Sequence, residues 1–257
     1  MVTGATGTLT VVSCAGVPIT ACTPARATQE IIRLSTSELE RGVDVHLCNA
    51  YTLALADKDA RFKAMLQRAS INFADGKSVI WANKLLHRDR QISGDRVYGP
   101  DLFLDVFDQG QEHGLQHYLL GSTPEVLAKL QTELLRRYPK AEIVGAESPP
   151  FRDLWPSERK ESCLRITESK AQLVWIGLGT PKQDIEASWL ANGQVAVFIA
   201  VGAAFDFVAG EKKQAPTWMQ RNGVEWLFRL ATEPRRLWRR YLFGNARFLR
   251  AACRRSA

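Results

Sequence analysis

Leu173-Val-Trp-Ile176 runs into Gly177-Leu-Gly-Thr-Pro-Lys-Gln183, and helical spacing then carries the chain from Pro181 to Ala191. Four bulky apolar residues in a row, closed by glycine, read as a strand buried on both faces. Pro181 suits a first helical turn, and Thr180 before it is a capping residue type. Strand, glycine turn and helix in immediate succession make a βα unit, the building block of parallel sheets.

The same grammar extends in both directions. Val43–Cys48, Gln116–Leu120, Ala141–Val144 and Val195–Val201 read as further buried strands. Between them Pro24–Arg41, Pro100–His113, Thr123–Tyr138 and Ser157–Ser169 carry helical spacing, several behind start signals such as Thr23-Pro24, Ser122-Thr-Pro-Glu125 and Pro156-Ser-Glu158. This order predicts an α/β fold over residues 1–215: a mostly parallel, Rossmann-like sheet with helices on both faces. A helical appendage is expected over residues 216–257.

Composition narrows the class. At 46% hydrophobic and 24% charged residues, disorder is excluded as the main state. The longest apolar run, Val195 to Phe205, is 11 residues, where a membrane span needs roughly 20. No Lys or Arg precedes Arg26, so the basic start of a secretory signal is missing. Five cysteines without a CxxC pair, and four histidines without ligand spacing, argue against a disulfide framework or a zinc site. A reducing cytoplasm fits, and no metal or cofactor is called for.

The net charge of +7 is unevenly placed. From Arg221 to the last residue there are ten arginines, no lysine and two acids, whereas residues 1–220 hold 24 basic and 25 acidic residues. The arginines alternate with Trp226, Phe228, Trp238, Tyr241 and Phe248 among others, a mixture that predicts short amphipathic helices broken near Pro234 and Gly244. Such a tail suits an anionic membrane surface or nucleic acid phosphate, or it closes the fold as a solvated hairpin. Its large aromatics favour the lipid interface.

In an open parallel sheet, ligands bind outside the carboxyl ends of the strands. The Gly177–Gln183 turn offers close backbone approach, a helix start and the charge of Lys182, an anion site suited to a pyrophosphate. A tight capped turn explains the same residues without a ligand. Leu120-Gly-Ser-Thr-Pro124 repeats the arrangement, and Asn49 follows another strand, as a polar contact or a helix cap. Phe73-Ala-Asp-Gly-Lys-Ser78 imitates the end of a Walker A loop, but Ile71 stands where its first glycine belongs. Asp75 within it reads either as a catalytic base or, more simply, as the N-cap of the next helix. Asp57-Lys-Asp59 has a metal-holding spacing but lies inside the helical stretch Tyr51–Arg68, where a solvated face accounts for it.

Taken in order, eight segments resemble the bacterial WecG/TagA/CpsF glycosyltransferase family over residues 12 to 250. They are Asn49, Asp75-Gly76, Arg96-Val-Tyr-Gly-Pro-Asp101, Gly121-Ser122, Gly177–Gln183, Val201-Gly-Ala-Ala-Phe-Asp-Phe207, Gly223-Val-Glu-Trp-Leu-Phe-Arg-Leu230 and Glu233-Pro-Arg-Arg-Leu-Trp-Arg-Arg-Tyr241. The resemblance implies metal-independent, inverting transfer of an N-acetylmannosamine-like sugar from a UDP donor to a polyprenyl-diphosphate-linked sugar, in cell-envelope polysaccharide synthesis. Some relatives transfer glucose instead. It implies a peripheral position on the inner face of the plasma membrane.

Residue by residue, the resemblance implies Asp75 as general base and substrate contacts from Arg96 and Gln183. Asn49, Gly121, Ser122, Gly177, Gly179, Thr180, Pro181, Lys182 and Asp206 complete the implied substrate site. Arg229, Arg236 and Arg239 are expected to reach it from the tail once that tail docks on the membrane. One position departs: many relatives carry Thr two residues before the asparagine, where this chain has Leu47.

The chemistry asks for these residue types. An acceptor hydroxyl has a very high pKa, so its proton must leave as it attacks, and a positioned carboxylate contributes ~10²–10⁴-fold to such a step. A departing UDP gathers charge on its diphosphate, which a helix start and planar guanidinium forks neutralise. Two rivals share features of the chain. A dinucleotide-binding oxidoreductase would need a glycine fingerprint at the first strand and an acid about 20 residues on. A nucleic-acid-binding module would use the arginine tail, bind with steep salt dependence and have no use for Asp75.

Overall fold

The computed structural model of the chain describes residues 9–87, 94–152 and 154–254. Its first elements are a hairpin of β1 (Thr10–Cys14) and β2 (Val17–Ala21), then helix α1 (Pro24–Thr36). Strand β3 (Val43–Cys48) leads to α2 (Ala50–Lys58) and α3 (Ala60–Arg68), and β4 (Ile71–Ala74) to α4 (Lys77–Leu86). Helix α5 (Gly99–Gly110) ends in a 3₁₀ turn at Gln111–His113 and precedes β5 (Gln116–Gly121). There follow α6 (Pro124–Arg137), β6 (Glu142–Glu147), α7 (Pro156–Ser169), β7 (Leu173–Gly177), α8 (Lys182–Ala191), β8 (Val197–Ala200) and α9 (Ala204–Val208). The tail forms α10 (Thr217–Arg221), α11 (Glu225–Thr232) and α12 (Pro234–Cys253).

The strands make one sheet in the order β1-β2-β4-β3-β8-β7-β5-β6. Among the described residues only the β1–β2 pairing is antiparallel. The expected α/β architecture with a mostly parallel sheet is therefore the observed one. β3, β8 and β7 lie at its centre and are almost wholly buried, and apart from Asp44 and His46 of β3 they are apolar, as suits strands covered on both faces. Trp175 of β7 anchors one face, in edge contact with Phe103 of α5.

Four details differ from the sequence reading. The β1–β2 hairpin turns on Ala15 and Gly16, both with positive φ (51° and 74°), so a primed turn forms without the Asn-Gly pair that announces one. The helical stretch Tyr51–Arg68 is two helices: the Asp59 carboxylate accepts from the backbone N–H groups of Arg61 (2.8 Å) and Phe62 (3.2 Å), so one aspartate stops α2 and caps α3. Helix α1 ends at Thr36, short of Arg41. The tail breaks at Pro234 as expected but runs unbroken through Gly244, because that glycine lets α12 lie close on α2: a Cβ there would sit 3.4 Å from the Tyr51 ring. Phe248, Ala251 and Ala252 are buried against α2 and α4.

Candidate active site

The carboxyl ends of β3, β4, β5, β7 and β8 open onto one cavity of about 430 Å³. Asn49, Asp75, Ser122, Gly177, Gly179, Thr180, Lys182, Gln183 and Asp206 line it, as do Arg229 and Arg236 from the tail. Parallel strands deliver these loops to the same edge, so residues far apart in sequence meet there.

Asn49 caps α2, its Oδ1 accepting from the backbone N–H groups of Tyr51 (3.0 Å) and Thr52 (3.2 Å). It also lines the cavity beside Asp75, so the cap and the cavity residue are the same. Asp75 is not the cap of α4. Gly76 takes that position without a side-chain bond, and Asp75 Oδ1 instead accepts from the Gly99 N–H at 3.3 Å. The carboxylate is thereby turned from its own helix into the space between β4 and α5. Burial pushes its pKa above the usual carboxylate range and the charge of Glu225 adds to this, against the pull of Arg96, the Gly99 N–H and Asn49.

The Gly177 turn differs in detail from its reading. Thr180 does not cap α8; Pro181 holds the N-cap position, with no side-chain cap bond. The glycine loop is held by Gln183, whose Oε1 accepts from the Gly179 N–H at 2.9 Å. Gln183 is itself buried, and Lys182 Nζ donates to the Arg152 carbonyl at 2.8 Å. Gly179 has φ +78° and open space where a Cβ would be, so its backbone is free for close approach by a ligand.

Gly121 and Pro181 stand outside the cavity lining. Gly121 is a packing glycine: it pairs in register with Gly177, has φ +133°, and a Cβ there would meet the Gly177 backbone at 2.7 Å. Ser122 Oγ donates to Asp206 at 3.4 Å, and Asp206 accepts from Lys212, a cavity cation that the sequence reading missed. Leu47, two residues before Asn49, is buried and lines the cavity too.

Arg239, expected to reach the site once the tail docks on a membrane, is not among the residues that line the cavity. Its guanidinium lies 5.1 Å from the Trp238 ring, on the outer surface, away from the cavity. The neighbouring Arg240 enters instead. On a helix, adjacent residues point about 100° apart, and α12 turns residue 240 inward with its guanidinium 4.0 Å over the Tyr51 ring. Its Nε is buried and has no hydrogen-bond partner among the described residues. Desolvation lowers its pKa from the ordinary arginine value.

Behind Asp75 lies a second cavity of about 340 Å³, bounded by Trp81, Arg96, Trp226, Tyr241 and Leu249. Arg96, expected as a substrate contact, faces this cavity. Its loop is anchored by Val97 N–H to the Ala74 carbonyl (2.9 Å), and its guanidinium bridges Glu225 (2.7 Å) and Asp75 (3.8 Å). Asp75 lines both spaces, with 20% of its side chain exposed. Asp57-Lys-Asp59 lies elsewhere: Asp57 accepts from Arg247 of α12 at 2.8 Å while Asp59 caps α3.

A carboxylate of raised proton affinity thus stands between a cationic, glycine-edged cavity and an aromatic one. The family model described as "Glycosyl transferase WecG/TagA/CpsF family" matches residues 12–257 of this chain.

Proposed function

The chain belongs to the WecG/TagA/CpsF glycosyltransferase family, and on that premise we propose that it moves a sugar from a UDP donor to a polyprenyl-diphosphate-linked sugar, with inversion. Members of the family are transferases that use a nucleotide-sugar donor and a lipid-linked acceptor to build cell-surface polymers. N-acetylmannosamine is our donor sugar, with glucose the alternative. The observation that carries this reading is the place of Asp75 between the two cavities.

In the proposed step the donor diphosphate lies in the first cavity, against the Gly177 turn and the guanidiniums of Arg229, Arg236 and Arg240. The acceptor hydroxyl enters beside Asp75. Its oxygen attacks the anomeric carbon, its proton passes to Asp75, and the bond from that carbon to UDP breaks. A carboxylate whose burial favours the protonated form is suited to accept a proton. The charge left on UDP is met by three arginines and Lys212 in a partly enclosed space, where such contacts count for more than in water.

Residues 1–215 would hold the donor, and residues 216–257 would complete the site and dock on the anionic cytoplasmic leaflet that carries the acceptor. Leu242 and Phe243 are each 63% exposed on α12, with Trp238 also exposed, beside a groove of about 730 Å³ lined by six arginines from Arg236 to Arg254. Apolar side chains next to guanidiniums suit a lipid surface, where each basic residue adds ~1 kcal/mol. No helix among the described residues is long and apolar enough to cross a membrane.

The test is a panel of UDP-sugars presented with a short-chain polyprenyl-diphosphate sugar. One donor should release UDP and glycosylate the lipid, and Asp75→Asn should stop it while still binding UDP. Failure of every donor on a folded, UDP-binding chain would overturn the proposal.

A further inference from the structure

Two carboxylates share one guanidinium at the edge of the site. Arg96 Nη2 lies 2.7 Å from Glu225 Oε2 and 3.8 Å from Asp75 Oδ1, while its Nε donates to the backbone carbonyl of Asp75 rather than to the carboxylate. Glu225 is held in place: Tyr98 Oη donates to its other oxygen at 3.2 Å, and the Tyr98 ring lies 3.9 Å beneath the guanidinium. Glu225 is 9% exposed and opens α11, so the tail supplies the stronger partner. The close, charge-assisted bond commits Arg96 to Glu225.

We infer that Glu225 is a positioning residue: it holds Arg96 off the Asp75 carboxylate, so that Asp75 remains the group that takes up a proton. One cation cannot neutralise two carboxylates, and the one left at the longer distance has the greater demand for a proton. The other titratable and charged groups around Asp75 include Cys48 of β3, Lys77 of α4, Tyr98, Asp101 of α5, Arg229 of α11, and Arg240 and Tyr241 of α12, with Lys182, Asp206, Lys212 and Arg236 farther along the first cavity. Among the described residues, Glu225 is the carboxylate that the Arg96 guanidinium hydrogen-bonds, while Asp95 accepts from the Arg96 backbone N–H. A tail seated on the body therefore prepares the base as well as lining the cavity. This inference rests on the reading of Asp75 as that base.

The test follows the Asp75 carboxyl carbon by ¹³C NMR titration in the full chain, with the resonance assigned through Asp75→Asn. In Glu225→Gln the midpoint should fall by about one pH unit, because Arg96 is released toward Asp75 and a repelling charge is removed. Glu225→Asp keeps the charge but draws it back by one methylene, and its midpoint should fall by less. The acid limb of kcat/KM should move the same way in both variants, with KM for the donor unchanged. A midpoint unmoved in both folded variants would overturn the inference, even if turnover fell. If the parent chain transfers no sugar at all, the transferase reading fails while the NMR midpoints still decide this one.

Discussion

His46 Nδ1 stands 3.2 Å from Asp184 Oδ1, and this bond fastens the strand leading to Asn49 to the helix that carries Gln183. The other ring nitrogen lies 3.1 Å from Asp44, whose second oxygen accepts from the backbone and hydroxyl of Ser70, both at 2.8 Å. All three members are buried. Burial alone would lower the His46 pKa, but hydrogen bonds donated by its ring to both carboxylates raise it to about 9. The imidazolium is therefore the clamp between the two halves of the site.

That clamp makes stability depend on pH. A histidine whose folded pKa exceeds its ordinary 6.5 stabilises the fold fully below that value and loses the contribution as pH climbs through about 9. Melting temperature should therefore fall between pH 7 and 10. His46→Phe should flatten this dependence and cost about 3–5 kcal/mol near neutral pH, by leaving two buried carboxylates unpaired. Denaturant titration across that range is the check, and an unchanged pH profile in His46→Phe would refute the role.

Asp75 is expected to trade stability for chemistry. Its folded pKa is raised, so the charged form is a burden that grows as pH rises through that value. Asp75→Asn should lower transfer by ~10²–10⁴-fold and raise the melting temperature at pH 8 more than at pH 4. Calorimetry beside a UDP-release assay measures both.

Arg240 and Arg239 should separate cleanly. Arg240→Ala removes a half-buried guanidinium from the cavity and should cut kcat about tenfold or more, in the range of one lost charge-stabilising contact. Arg239→Ala, on the outer surface beside Trp238, should leave kcat in detergent solution near that of the parent. Equal losses in the two variants would contradict the orientation of α12.

Two glycines of the strand-end turns should respond in opposite ways. Gly121→Ala forces a Cβ against the Gly177 backbone at φ +133°, so the variant should be severely destabilised or fail to fold. Gly179→Ala meets open space and pays only the left-handed backbone cost, about 1–2 kcal/mol. It should fold, and its defect should appear in UDP affinity measured by titration calorimetry.

Membrane docking predicts a third kind of variant. Leu242→Glu with Phe243→Glu changes two exposed positions, so stability should move by no more than about 0.5 kcal/mol per site. Co-sedimentation with anionic vesicles should drop sharply. Binding equal to the parent would remove these side chains from the docking face.

Legibility followed the range of the forces involved. Thr123, read as a start signal before Pro124, is the N-cap of α6, because a cap is a bond between residues three apart. Asn49, which reads as a cap or a polar contact, caps α2 and also lines the cavity. Local pattern leaves Asp75 open between base and cap, because its partner is the Gly99 N–H, far along the chain, and no neighbouring residue announces that bond. The Ala15-Gly16 turn lacked a signature for a similar reason: its positive φ values are imposed by the pairing of β1 with β2.

From the sequence alone came the order of buried strands and helices, the glycine turn after β7, the amphipathic tail and the motif string that matches the family. Burial on both faces, helical period and charge segregation are all properties of neighbouring residues. Only the tertiary structure decided that Arg240 rather than Arg239 faces the cavity, that Gly244 is a contact and not a break, and that Glu225 competes with Asp75 for Arg96. Those outcomes depend on the rotation of α11 and α12 against the sheet edge, which packing sets to within an ångström and no pattern along the chain encodes.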